Sequence, residues 1–275
     1  MNTTLESAVI NDISEKNLIT YREDLKEKLV NFCFRNGISY IPAEDFRSVY
    51  HYIDGDFIQE ELDAQFCIAP DAPLFEDDTL RKFEHNPYEV RFVVEDGRIL
   101  GVVHIIDYNH EFLAVELYRT LFLLENNLRT LLVQHGKTNL DFLNWIQHKA
   151  YFSFGEDQKY WQSRVDFYLP DNQLLAQKKS QERNIYFPFQ TFSFSELLQF
   201  SQDENVIECF DGFKKIRNYI AHSRNITPTS ESDNGQLIYE FSTLKNFVIE
   251  IRKFLDFKTI IERKLLRTDY ILDVY

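Results

Sequence analysis

The stretch "FKKIRNYIAHSRN", residues Phe213 to Asn225, places Arg217, Asn218 and His222 within six positions. These residue types are equipped for chemistry. A histidine titrates near neutrality and can both take and return a proton, and an arginine offers a permanent charge with forked N–H donors to an oxyanion. On a helix of 100° per residue, Val206, Cys209, Phe213, Ile216 and Ile220 share one side, the expected core stripe. Arg217 then lies about 60° from the centre of that stripe and His222 about 160° from it, with Asn218 beside His222 at i, i+4 spacing. The histidine is expected to face away from its own core. A solvated surface histidine has the same pattern, so spacing alone assigns no chemistry.

The elements that would position this stretch are helical. From His110 onward, Leu113, Leu117, Leu121, Leu124, Leu128 and Leu131 or Leu132 form one stripe that predicts a long core-facing helix ending near Gly136. Further helices are expected at about 138–150, 157–167, 193–201, 203–223 and 239–266. The segment "YLPDNQLLAQKKSQERNIYFPFQT" reads as an irregular connection, and residues 109–275 as an all-helical domain. Glu125 and Arg129, at i, i+4, read as a surface ion pair or, as the alternative, a pair that supports a functional cleft.

The first 108 residues carry a different pattern. "SVYHYID" at Ser48 to Asp54 and "GVVHIID" at Gly101 to Asp107 match at a shift of 53 residues, pairing His51 with His104 and Asp54 with Asp107. Each copy is preceded by a helical pattern and a short apolar strand, and Asp96-Gly97 predicts a tight hairpin. Two units of helix, strand, strand, helix are expected.

Charge sharpens this division. The chain carries −14 overall, but residues 1–110 hold 22 acids against 10 bases, and the remainder 22 against 20. The acidity belongs to the first half. Nothing resembles the basic footprint of a general nucleic-acid binder, so any such contact is expected to be local. Three scattered cysteines without CxxC spacing predict a reducing, cytoplasmic setting and no metal site. No secretory signal or membrane span is expected, because Glu116, Arg119, Glu125 and Arg129 interrupt the most apolar stretch. There is no phosphate-binding GxxxxGK loop, GxSxG elbow or GxGxxG turn.

Two resemblances add to these readings. Residues 10–108, through "VVEDGRILGVVHIID" and "GISYIP", resemble a tandem pair of CBS domains, an α/β nucleotide-sensing module. The resemblance implies that Asp54 and Asp107 hold ribose hydroxyls of an adenine nucleotide such as AMP or ATP, with Ser39, His51 and His104 nearby. His51 and His104 stand where that family has Thr or Ser. Residues 110–270, through "RNYIAH" and "LFLLENNLRTLL", resemble the all-α HEPN domain with its R-N-x-x-x-H motif. That implies a homodimeric endoribonuclease requiring no metal or other cofactor, with Arg217, Asn218 and His222 catalytic, and a setting in toxin–antitoxin control or antiphage defence with an antitoxin as further partner. The alternative, from another class, is a non-catalytic nucleotide-binding adapter whose helices only dimerise.

Overall fold

The computed structural model describes residues 4–84, 90–208, 216, 219, 229–231, 237–239 and 241–272. Small β-sheets occupy the N-terminal region, and a mostly helical region follows. Internal contacts divide the chain into two units, Met1–Tyr118 with Lys215–Arg252, and Arg119–Lys214 with Lys253–Tyr275. The boundary read from sequence, at 108/109, differs from this division, and residues 215–252 group with the first unit.

In the first unit, helix α1 (Lys26–Asn36) stops at Gly37, whose left-handed φ of 62° lets its N–H turn back to the Cys33 carbonyl. Strands β1 (Tyr40–Pro42), β2 (Ser48–Ile53) and β3 (Asp56–Glu61) form an antiparallel meander. Its second turn is Asp54-Gly55, with φ of 49° and 88°, the backbone of a two-residue hairpin. A second sheet joins β4 (Cys67–Ile68), parallel, to β5 (Arg91–Glu95), which pairs antiparallel with β6 (Arg98–Val103) across Asp96-Gly97. Helix α2 (Asp77–Glu84) lies between β4 and β5 in the chain. Val49 of the first sheet packs with Phe92 and Ile99 of the second, giving the two sheets a shared apolar cluster.

The expected duplication is corrected by these hairpins. Asp54-Gly55 corresponds in shape to Asp96-Gly97, so β2 answers to β5, whereas the sequence match pairs β2 with β6 and the end of a strand with a turn. The chain reverses at Asp54 into β3 instead of entering a helix, because both turn residues adopt positive φ.

The N-terminal segment closes the second sheet. Leu5, Ile10 and Ile13 are buried, and Glu15 exchanges two backbone hydrogen bonds with Val102, at 2.9 and 3.0 Å. A Cβ on neighbouring Gly101 would stand 2.8 Å from the Glu15 carbonyl oxygen. Gly101→Ala is therefore expected to destabilise the first unit by about 1–3 kcal/mol through overpacking against fixed backbone, read as a lower urea midpoint at unchanged slope.

Helix α3 (Glu111–Gln134) begins in the first unit and continues into the second. Leu113, Leu117, Leu124, Leu128, Leu131 and Leu132 of its stripe are buried, and Leu121 is half-buried. Helices α4 (Asn139–Phe152), α5 (Gly155–Tyr168), α6 (Gln173–Ile185) and α7 (Phe194–Asp203) follow. Thr138 caps α4, its hydroxyl accepting the Asp141 N–H while Asp141 accepts the Thr138 N–H. Phe142 sits at the centre of an aromatic core, with ring centroids 4.1 Å from Phe192 and 5.3 Å from Phe200.

Three expectations are corrected here. The segment read as an irregular connection contains α6, capped where the Asn172 side chain accepts the Leu175 N–H. The helical region also carries a two-stranded antiparallel ladder, β7 (Thr229–Glu231) with β8 (Leu237–Tyr239), before the long α8 (Phe241–Leu272). Finally, Glu125–Arg129 is not a surface pair. Arg129 is buried, 2.5 Å from Glu125 and donating to the Phe189 carbonyl, because the loop after α6 covers that side of α3. No helix among the described residues is long and apolar enough to cross a membrane.

Candidate functional site

Arg217, Asn218 and His222 lie outside the described residues. Their helical neighbours Ile216 and Tyr219 are described and belong to the first unit. Ile216 is fully buried, in keeping with its place on the core stripe, and the Tyr219 ring meets Phe247 of α8 edge-on at 4.9 Å. Leu244, Val248 and Ile251 of α8 are buried in the same unit. Arg252 at the end of this stretch donates to the Phe75 carbonyl and pairs with Asp77 at 2.8 Å. Asp77 is held below the usual carboxylate range by that guanidinium.

The five residues expected around a nucleotide divide into two groups. Ser39, His51 and Asp54 belong to the first sheet. Ser39 is exposed and its carbonyl accepts the Tyr52 N–H, while His51 sits on the central strand. The His51 ring stacks on Tyr40 at 4.2 Å and its Nδ1 lies 3.2 Å from a Glu60 carboxylate oxygen. Asp54 occupies the exposed hairpin turn.

His104 and Asp107 instead form the joint between β6 and α3. A 3-10 helix, Ile105–Asn109, starts at His104, whose N–H donates to Asp107 Oδ2 at 2.7 Å and whose Nδ1 accepts the Ile106 N–H at 3.3 Å. His110 repeats the device one step on, its Nδ1 accepting the Phe112 N–H at 3.1 Å as α3 begins. Ile105 and Tyr108 are buried on the inner side, and the Tyr108 hydroxyl donates to the Leu74 carbonyl. One carboxylate oxygen of Asp107 is thus committed to its own backbone. The sequence repeat concealed this, because the matching Asp54 makes a turn and Asp107 makes a cap.

Burial pushes the Asp107 carboxyl up to about 6, with Glu15 adding to the rise and the His104 N–H and His110 opposing it. Below 3.8 the carboxyl is protonated in both folded and unfolded chains. Between 3.8 and about 6 the unfolded chain ionises first, so this group's contribution to stability falls as pH rises and is flat above that window. Asp107→Asn keeps an acceptor for the cap and removes the titration. The stability of Asp107→Asn relative to wild type is expected to grow by about 2 kcal/mol between pH 4 and pH 7, measured by urea unfolding at each pH.

The second unit carries a groove of about 780 Å³ that sequence reasoning missed. Trp145, His148, Lys149 and Phe152, spaced along one face of α4, line it opposite Asp203 and Glu204. The Asp203 carboxylate accepts from Trp145 Nε1 at 2.8 Å and pairs with Lys149 Nζ at 2.7 Å, while Lys137 pairs with Glu204 at 2.5 Å. These cations already face carboxylates, so an anionic ligand would have to displace an acid to bind there. The i, i+3, i+4, i+7 spacing of aromatic and basic residues on α4 was the available signal.

Comparison with protein-family models, with curated proteins and with solved structures gave no match.

Proposed function

We propose that this chain is a metal-independent endoribonuclease in which Arg217, Asn218 and His222 act on RNA, the active species being a dimer. The observation that carries the reading is the spacing R-N-x-x-x-H in "RNYIAH", with Ile216 buried beside it as the core-stripe assignment requires. In the proposed reaction the RNA 2′-oxygen attacks the adjacent phosphorus. The 2′-proton passes to a histidine, the 5′-oxygen leaves with a proton from a second acid, and the products carry 2′,3′-cyclic phosphate and 5′-hydroxyl ends. Arg217 supplies fixed charge to the phosphorane oxygens, and Asn218, at i, i+4 from His222, orients the imidazole or binds phosphate. Dimerisation would supply the second histidine, since the helical phase of the sequence expects His222 on the side away from the core stripe, where a twofold partner would reach it.

Control by an adenine nucleotide belonged to the same expectation. The described geometry leads us to confine the proposal to RNA cleavage, because Asp54 makes a hairpin turn and Asp107 caps its own helix. Incubating total RNA with the purified chain in EDTA, followed by end-group analysis, tests the reading. Products with cyclic-phosphate ends support it, and intact RNA at every dimer concentration tried removes it.

A further inference from the structure

We propose that the outer side of α5 and α6 is a docking surface for single-stranded RNA, an inference that rests on the RNA-cleavage reading. No residue of α6 is buried, so Lys178, Lys179 and Arg183 all retain solvent access. A 13-residue helix with so little packing is marginal by itself. It is held by the Asn172 cap and by its far end, where Arg183 donates to the Tyr168 carbonyl and Asn139 to the Arg183 carbonyl.

Beside it on α5 stands Phe167, half exposed. Lys179 Nζ lies 4.4 Å from its ring centroid, and the Arg164 guanidinium, whose charge is already committed to Glu196, lies 4.9 Å from it. Tyr186 and Phe187, each about half exposed, follow the end of α6. Aromatic faces for bases beside cations for the backbone are what single-stranded nucleic acid recognises without sequence preference.

Charge selects this occupant. Residues 173–190 hold Lys178, Lys179 and Arg183 against the single acid Glu182, within a chain of −14, whereas α5 holds Glu156, Asp157 and Asp166 against Lys159 and Arg164, so the positive charge of this surface belongs to α6. Exposed Leu174 and Ile185 would also suit a second copy of the chain. A twofold contact through α6, however, would set these cations against their own copies, and like charges across an interface oppose association. A phosphate backbone meets the same cations with opposite charge.

The test is fluorescence anisotropy of the full-length chain with an end-labelled, fully 2′-O-methylated single-stranded RNA, which cannot be cleaved by 2′-oxygen attack. K178E/K179E is expected to weaken binding at least tenfold and to lower the slope of log K against log salt by about 1.4. Phe167→Ala is expected to weaken it roughly five- to 100-fold at an unchanged salt slope. K16E/K28E alters net charge equally at exposed lysines of the first unit and should bind like wild type. Binding by K178E/K179E equal to that of wild type, or a loss shared by K16E/K28E, overturns the proposal. So does finding that Leu174→Glu and Ile185→Glu turn a dimer into monomers while RNA binding is unchanged, which assigns the surface to self-association. Because the probe is uncleavable, absence of catalysis with binding retained would overturn the nuclease reading alone.

Discussion

His222→Ala is expected to cleave RNA roughly 10²–10⁴-fold more slowly than the wild-type chain, the contribution of a positioned acid or base. Arg217→Ala should lose about 10²–10³-fold, the effect of withdrawing one fixed donor from a developing oxyanion. Single-turnover rates in EDTA, with end-group analysis, measure both. The two variants should differ in their pH profiles. The wild-type rate should vary through the range where imidazoles titrate, and that dependence should disappear in His222→Ala while surviving in Arg217→Ala. Mixing the two inactive variants adds a test of the dimer. If a site draws residues from both protomers, hybrid dimers recover part of the activity, and a site complete within one protomer recovers none. Cleavage that persists unchanged in His222→Ala would leave the "RNYIAH" segment as helix packing, and the adapter reading would take its place.

Glu196→Ala is expected to cost about 3–5 kcal/mol of stability, because it removes one partner of a buried ion pair. Glu196 is only 2% exposed at the start of α7, yet its carboxylate is fully engaged. Arg164 donates to one oxygen, and the hydroxyls of Tyr168 and Ser193 donate to the other, each at 2.6 Å. Burial works against the charged form, but Arg164, Ser193 and Tyr168 together outweigh it and hold the carboxyl below its usual range. The same burial, with Glu196 adding to it, pushes the Tyr168 hydroxyl up to about 12. Removing the acid would strand a guanidinium and two hydroxyls around an empty site. Because the folded pKa is depressed, the stabilisation is present above the ordinary value of 4.5 and is lost as pH falls through the lower folded value. Urea unfolding followed by tryptophan fluorescence reads this directly, since both tryptophans, Trp145 and Trp161, lie in the second unit. Glu196→Gln should cost less than Glu196→Ala, because the amide oxygen still accepts. An Arg164→Met partner completes a double-mutant cycle that isolates the pair.

Periodicity made some of this architecture readable in advance. The leucine stripe of α3 was legible because a continuous apolar face at 3.6-residue spacing has one physical solution, and Asp96-Gly97 marked its hairpin for an equally local reason, whereas Asp54-Gly55 was passed over in favour of the repeat. Helix α6 escaped because it buries nothing: its leucines and lysines share faces, so no apolar stripe announces it. The repeat misled because similar residues at similar spacing can serve different backbones. The aspartate that ends one copy lies at a positive φ in a turn, and its counterpart folds back onto a helix terminus. Glu125 and Arg129 were paired correctly by spacing, but their burial depends on Phe189, sixty residues away, and no local pattern reports it. For the candidate site, the sequence supplied residue types and helical phase at Ile216. It could not supply the groove of the second unit, whose two walls come from distant parts of the chain.

The division of the chain also bears on how it can be made and cut. The polypeptide passes between the units at 118/119, 214/215 and 252/253, so no single proteolytic cut releases either one whole. During synthesis, residues up to 118 must leave the ribosome without the segment that carries Ile216, Phe247 and Arg252, and the hydrogen bond from Arg252 to the Phe75 carbonyl cannot form until that segment follows. Most of the second unit is translated before the first has all its parts. The segment 215–252 therefore joins a unit that is still open while the chain is being made, and under the proposed reading cleavage activity would be acquired only near the end of translation.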